Sequence, residues 1–204
     1  MQALFTDSVA YGFGHPLAGL DHLLAMFAVG LLSVQVGRLG WAYIPAIFVA
    51  FLIFGGILGM MGQTIPQMED GILLSVIALG VLIVFQLRFI PVIAVIVVAL
   101  FGVLHGYPHG TEIPAVANAF QYIVGFSLAS AMMHLIGVGI GTICDLFPNP
   151  RHVRGLLGSA LVGAGLVLLV TIRDAIIKEN PVLSGFLQIA LTPPPPRNFW
   201  NAYF

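Results

Sequence analysis

The chain has 204 residues, of which 59% are apolar and only 7% charged, with a formal net charge of −1. A soluble domain covers its surface with about 25% charged residues, so this composition excludes one and points to an all-α polytopic membrane protein. The balanced charge offers no electrostatic case for a nucleic-acid partner, and a single cysteine, Cys144, excludes an internal disulfide and any multi-cysteine zinc or iron–sulfur site.

Residues 1–14 lack a basic stretch followed by a separate apolar run, so no cleavable signal peptide is expected among them. The first apolar run goes from Pro16 to Val36, with Pro16 suited to a first helical turn. Trp41 to Met61 is the second, opened by an interfacial aromatic residue. Gly71 to Leu87 and Phe89 to Leu104 follow as a tight hairpin meeting at Arg88 and Pro91. The fifth, Pro114 to Ile143, exceeds the ~20 residues a bilayer requires and so must tilt, bend or protrude. Val153 to Ile172 is the sixth. Pro181 to Thr192 is too short to span and reads as interfacial or re-entrant, and Pro193 to Pro196 forms a stiff extended tail before Phe199 and Trp200. Residues 1–178 then make a six-helix membrane domain and 179–204 a C-terminal interfacial segment.

The arginines orient these spans. Arg38, Arg88, Arg151 and Arg154 all fall in connections on one side, which the positive-inside rule makes cytoplasmic. Arg173, Lys178 and Arg197 pull weakly the other way, offset by Asp174 and Glu179. Both termini are expected outside a bacterial cytoplasmic membrane.

A charged side chain inside lipid costs on the order of 2.5–3.5 kcal/mol, so such residues mark sites by default. The first span carries Asp21 and His22, with His15 at its edge. At roughly 100° per residue, His15, Gly19, His22, Met26 and Gly30 share one stripe of a continuous helix, with Asp21 about 100° away from His22. That helix puts His22 and Asp21 about 9–10 Å deeper than His15 at ~1.5 Å per residue. Met26 alone is more often packing than ligand, but it stands on this stripe. After the fourth span, His105, His109 and Glu112 have spacing that would align them on one helical face. Gly106, Pro108 and Gly110 oppose a continuous helix, so the expectation is six transmembrane helices with a broken, histidine-rich segment after the fourth. Irregular backbone at membrane depth belongs beside a protein-lined or wet cavity.

His134 is a further intramembrane histidine, on a small-residue stripe with Ser127, Ser130, Ala131 and Gly141, where helix packing and a place in a conduit are equally good readings. Asn118 and Gln121 suit hydrogen bonds across helices, Gly55, Gly56 and Gly59 a close helix contact, His152 a solvated loop, and Glu69 and Asp70 a solvated pair at the outer mouth.

Two of these stretches, His15-Pro-x-x-Gly-x-Asp21-His22-x-x-x-Met26 and His105-Gly-x-x-His109-Gly-x-Glu112, resemble the motifs of the HupE/UreJ family. The six-span layout resembles that family too, up to about Ile177, and the match departs at Pro108, where a small residue is expected. The resemblance implies a nickel or cobalt permease rather than an enzyme. No prosthetic group is expected, and the cargo would be Ni2+ or Co2+. Imidazole and carboxylate donors agree, since they suit nickel, cobalt, zinc and copper better than magnesium or calcium. On this reading His15, His105, His109 and Glu112 capture the ion outside, Asp21 and His22 carry it inward, and His134 receives it later. A self-association partner and a downstream metallochaperone are left open. Two other classes compete: an intramembrane metalloenzyme with Glu112 as general base, and a haem protein with axial histidines.

Overall fold

The structure is a computed structural model that describes residues 2–37, 39–86 and 91–179. They form seven α-helices and one short 3-10 turn at Cys144–Leu146, with no strand among the described residues. The helices are α1 (Gln2–Ala18), α2 (Leu20–Gln35), α3 (Gly40–Met60), α4 (Met68–Phe85), α5 (Pro91–Thr111), α6 (Ala119–Ile143) and α7 (Pro150–Glu179). Five of them are long and apolar enough to cross a membrane, or six if the bent pair α1–α2 counts as one span. The all-helical polytopic expectation is therefore met. Arg38, Arg88, the hairpin tip, the Pro181–Thr192 run and the proline-rich tail lie outside the described residues.

The chain divides into two compact units, Met1–Val167 and Leu168–Phe204. In the second, residues 168–179 are described and are helical. The first has an inverted polarity suited to lipid. Large apolar side chains such as Phe51, Phe54, Leu100, Leu128 and Leu135 are exposed, whereas Ser33, Ser75, Ser130, His105, His109 and His134 are buried. The buried serines give their hydroxyls to carbonyls three or four residues earlier, as Ser33 does to Gly30 at 2.6 Å and Ser130 to Phe126 at 2.8 Å.

Two local expectations are overturned, and both concern helix breaks. The first span is not one straight helix: α1 and α2 meet at an angle of 86° across Gly19. Gly19 has extended backbone, φ −96° and ψ 117°, so it caps α2 instead of continuing α1. Pro16 accordingly lies in the last turn of α1, not in a first turn. His15 is thus removed from the stripe of His22, Met26 and Gly30.

Conversely, the segment after the fourth span does not break. The α5 helix runs unbroken through His105, Gly106, Pro108 and Gly110 to Thr111. The reason is packing. A Cβ on Gly106 would strike the Leu52 carbonyl, one on Gly110 the Gly56 carbonyl, and one on Gly59 the Tyr107 carbonyl. The glycines of α5 are therefore contact points with the Gly55, Gly56 and Gly59 face of α3, and the small-residue reading of that face is correct. Pro108 stands in the last turn of α5 and cannot donate to the Leu104 carbonyl one turn earlier. Its carbonyl accepts from Glu112 N at 2.9 Å and from the Thr111 hydroxyl at 3.2 Å, and the neighbouring Tyr107 hydroxyl donates to the Gln63 carbonyl.

Since a side chain at Gly106 must push α3 and α5 apart, Gly106→Val should lower the thermal midpoint of the detergent-solubilised protein. Overpacking of this kind costs roughly 1–3 kcal/mol. Gly139→Ala, with open space around the new methyl, should melt with the parent.

Smaller corrections follow from capping. Asn118 does not bridge helices through its side chain: its Oδ1 caps α6 by accepting from Gln121 N at 3.2 Å, while its backbone N donates to Ser8 Oγ at 3.0 Å. His152 is exposed as expected but stands in the first turn of α7, where its N donates to Asn149 Oδ1 at 3.3 Å. Arg154 pairs with Asp145.

Candidate metal-ion site

The 86° bend at Gly19 turns α2 away from α1 directly before Asp21 and His22. Asp21 then occupies the first turn of α2, where the unpaired N–H groups favour a carboxylate. Its Oδ1 accepts from the His22 backbone N at 2.8 Å and stands 3.0 Å from His22 Nδ1. A carboxylate can only accept, so Nδ1 carries the proton and Nε2 presents its lone pair. That is the arrangement by which a carboxylate fixes the tautomer of a metal-binding histidine and raises its basicity. Asp21 is therefore an orienting partner of His22 on its own helix and does not reach to another.

The same logic holds on α5. His105 Nδ1 lies 2.9 Å from the Phe101 carbonyl one turn earlier, so it donates, and Nε2 is again the free acceptor. His109 stands one turn further on. With α5 continuous, His105 and His109 share a face, as their spacing alone suggested, and both are fully buried. Glu112 lies just beyond the helix end and meets His15 from α1, with Oε2 and Nε2 3.4 Å apart.

These elements bring the rings into one chain. His15 and His109 lie edge to face at 4.8 Å between centroids, His109 and His22 at 5.2 Å, and His22 and His105 at 5.0 Å. Phe48 of α3 continues it, 5.6 Å from His105 and 5.0 Å from His134 of α6. Phe126 stacks on His109 at 4.9 Å, and Tyr122 stands 6.1 Å from His15. Side-chain exposure falls from 61% at Glu112 to 27% at His15 and 13% at His22, and His105, His109 and His134 are fully buried. The chain of rings thus leads from a wet rim into the helix bundle.

Buried polar atoms normally have partners. Here Nε2 of His22 and His105, and both ring nitrogens of His109 and His134, are buried without a hydrogen-bond partner among the described residues. Open imidazole lone pairs in a water-poor interior are what a borderline divalent cation binds. Among the described residues no three His, Cys, Asp or Glu side chains already stand in a geometry that would hold an ion. Neighbouring rings meet edge-on or tilted, and their donor atoms do not form a ready-made ligand group.

Of the residues singled out in the sequence, His15, Asp21, His22, His105, His109 and Glu112 are gathered toward the exposed end of this chain of rings. His134 joins through its ring contact with Phe48. Met26 lies buried in the apolar core one turn beyond His22 on α2. Sequence reasoning missed the aromatic walls, Phe48, Tyr122 and Phe126. The four-residue recurrence of Tyr122, Phe126, Ser130 and His134 along one face of α6 is the signal that would have found two of them.

The family model described as HupE / UreJ protein matches residues 2–168. The chain is 36% identical over 167 residues to "Protein HupE" of Rhizobium leguminosarum bv. viciae, covering 82% of this chain and 87% of that relative. No solved structure matches. A near-complete family match, in a helical membrane protein whose two histidine motifs meet in one buried chain of rings, establishes that this chain belongs to the HupE/UreJ family.

Proposed function

We propose that this protein is a permease that imports a divalent transition-metal ion, nickel or cobalt, across the bacterial cytoplasmic membrane. Its family is associated with nickel and cobalt transport, which speaks for transport over catalysis. The observation that carries the reading is the set of buried ring nitrogens on His22, His105 and His109, drawn from α2 and α5 and left without partners among the described residues. Glu112 and His15 offer the first ligands at the exposed rim. Asp21 keeps His22 in the tautomer that can accept the ion, and Met26 stands below as a soft donor. Because the donors form no ready-made ligand group among the described residues, binding requires ring rotations that cost energy. That suits a route whose ion must bind well enough to enter and weakly enough to leave.

Orientation rests on Arg38, Arg88, Arg151 and Arg154, whose side is the cytoplasm by the positive-inside rule, with both termini outside. The rim of Glu112 and His15 then faces out. An inside-negative potential of about 100 mV favours entry of a divalent cation by roughly 4.6 kcal/mol, so uptake needs no ATP, and the chain has no P-loop to bind it. Adjoining histidine rings about 5 Å apart leave no slot for a porphyrin between them, which disfavours the haem reading.

The test is uptake of radioactive nickel and cobalt, with zinc and manganese as comparisons, into liposomes holding the purified chain. Entry of nickel or cobalt should rise when a potassium diffusion potential, negative inside, is imposed. Uptake no faster than in protein-free liposomes for every metal would remove the permease assignment.

A further inference from the structure

The chain of rings does not end at the two histidine motifs. Beyond them lies His134, fully buried on α6, with both ring nitrogens unpartnered among the described residues. A buried donor or acceptor left unpaired costs about 1–3 kcal/mol. The side chains around it do not offer relief. Ser130, one turn earlier on α6, gives its hydroxyl to the Phe126 carbonyl. The ring contact His134 makes is with Phe48, at 5.0 Å and nearly perpendicular.

Nor can the backbone shift to find it a partner. A Cβ on Gly30 would strike the His134 carbonyl, and one on Gly137 the Phe27 carbonyl, so α2 and α6 touch main chain to main chain at this level. His134 is held where it is by the tightest part of that contact. Phe48 is in ring contact with both, 5.6 Å from His105 and 5.0 Å from His134. The two sets of open nitrogens therefore belong to rings that share one apolar neighbour.

We propose that His134 is a separate inner cation station, which takes up a divalent transition-metal ion through an open imidazole nitrogen after the ion has left the His22–His105–His109 group and passed the Phe48 ring. This rests on the permease reading and extends it to a residue outside both motifs. With one imidazole and, among the described residues, no carboxylate grouped with it, the station holds the ion more weakly than the outer group, and so favours onward movement toward the inner end of α6. Loss of His134 should slow transit while leaving capture at the outer group intact.

The experiment uses the full chain in liposomes and two variants. His134→Leu should keep equilibrium cobalt binding, followed by its visible absorption, within about twofold of the parent, while initial nickel or cobalt uptake falls about tenfold or more. His134→Cys replaces imidazole by a soft thiolate, so its cadmium-to-nickel rate ratio should rise about tenfold over the parent. That ratio does not depend on how much of the variant folds, so it decides the matter even if His134→Leu is poorly expressed. Parental uptake by His134→Leu, or equal loss of both metals with an unchanged ratio in His134→Cys, would overturn the inner station and leave the permease reading standing. A parent chain that carries no divalent ion would remove both.

Discussion

Replacing His22 by alanine is expected to abolish accumulation of radioactive nickel and cobalt in cells, with membrane abundance on immunoblots unchanged. His22 is the one ring that touches both histidines of α5, at 5.0 Å to His105 and 5.2 Å to His109, so its loss interrupts the path at its centre. Its removal should exceed the roughly 10–100-fold typical of losing a partner that only orients a ligand. Asp21→Asn provides that smaller comparison. The amide oxygen can still accept from His22 Nδ1, but without a full negative charge it raises the basicity of Nε2 less, so uptake should fall about 10–100-fold. Asp21→Asn should act without a change in melting, because the Asp21 side chain bonds to His22 on its own helix. Normal accumulation by both variants would sink the site as drawn.

The residues that meet in this candidate site were largely legible in the sequence, and the reason is energetic. In a chain with only 7% charged residues, imidazoles and carboxylates within apolar runs stand out, since lipid tolerates them only for a purpose. Two motifs could therefore be read as one site before their meeting was visible. Helix continuity was not legible. The local rule that glycine and proline break helices fails at Gly106, Pro108 and Gly110, because the glycines are spent on main-chain contact with Leu52 and Gly56 of α3. A pattern read on one helix cannot include the partner that decides its meaning. Gly19 erred in the opposite direction: its place on a plausible helical stripe hid an 86° bend. The aromatic walls were hidden for a further reason. Among 15 phenylalanines, most suited to facing lipid, nothing in the sequence distinguishes Phe48 as one lying against histidine rings, whereas Phe126 is marked only by its four-residue spacing from Tyr122 and Ser130.

The bend itself can be tested through the carboxylate it shelters. Gly19 has ordinary extended dihedrals, φ −96° and ψ 117°, which any residue can adopt, so the demand there is for space and not for backbone freedom. A Cβ built on it lies 2.8 Å from Asp21 Oδ1 and 3.1 Å from His22 Nδ1, which is too close to both members of the orienting pair. Alanine also favours helix by about 1 kcal/mol over glycine, pulling α1 and α2 toward a single straight helix that would carry His22 away from His109. Steric displacement and straightening act in the same direction. Gly19→Ala should therefore lower nickel uptake about 10–100-fold, as Asp21→Asn does, since both disturb the same carboxylate–imidazole bond. Combining the two changes should cost little more than either alone, because residues acting through one bond are not additive. Gly14→Ala, in open space one turn earlier on α1, should transport like the parent. If Gly19→Ala matched the parent rate while Asp21→Asn was impaired, the carboxylate would matter without the bend, and His15 would have to reach the outer group by some other arrangement than the one the 86° turn creates.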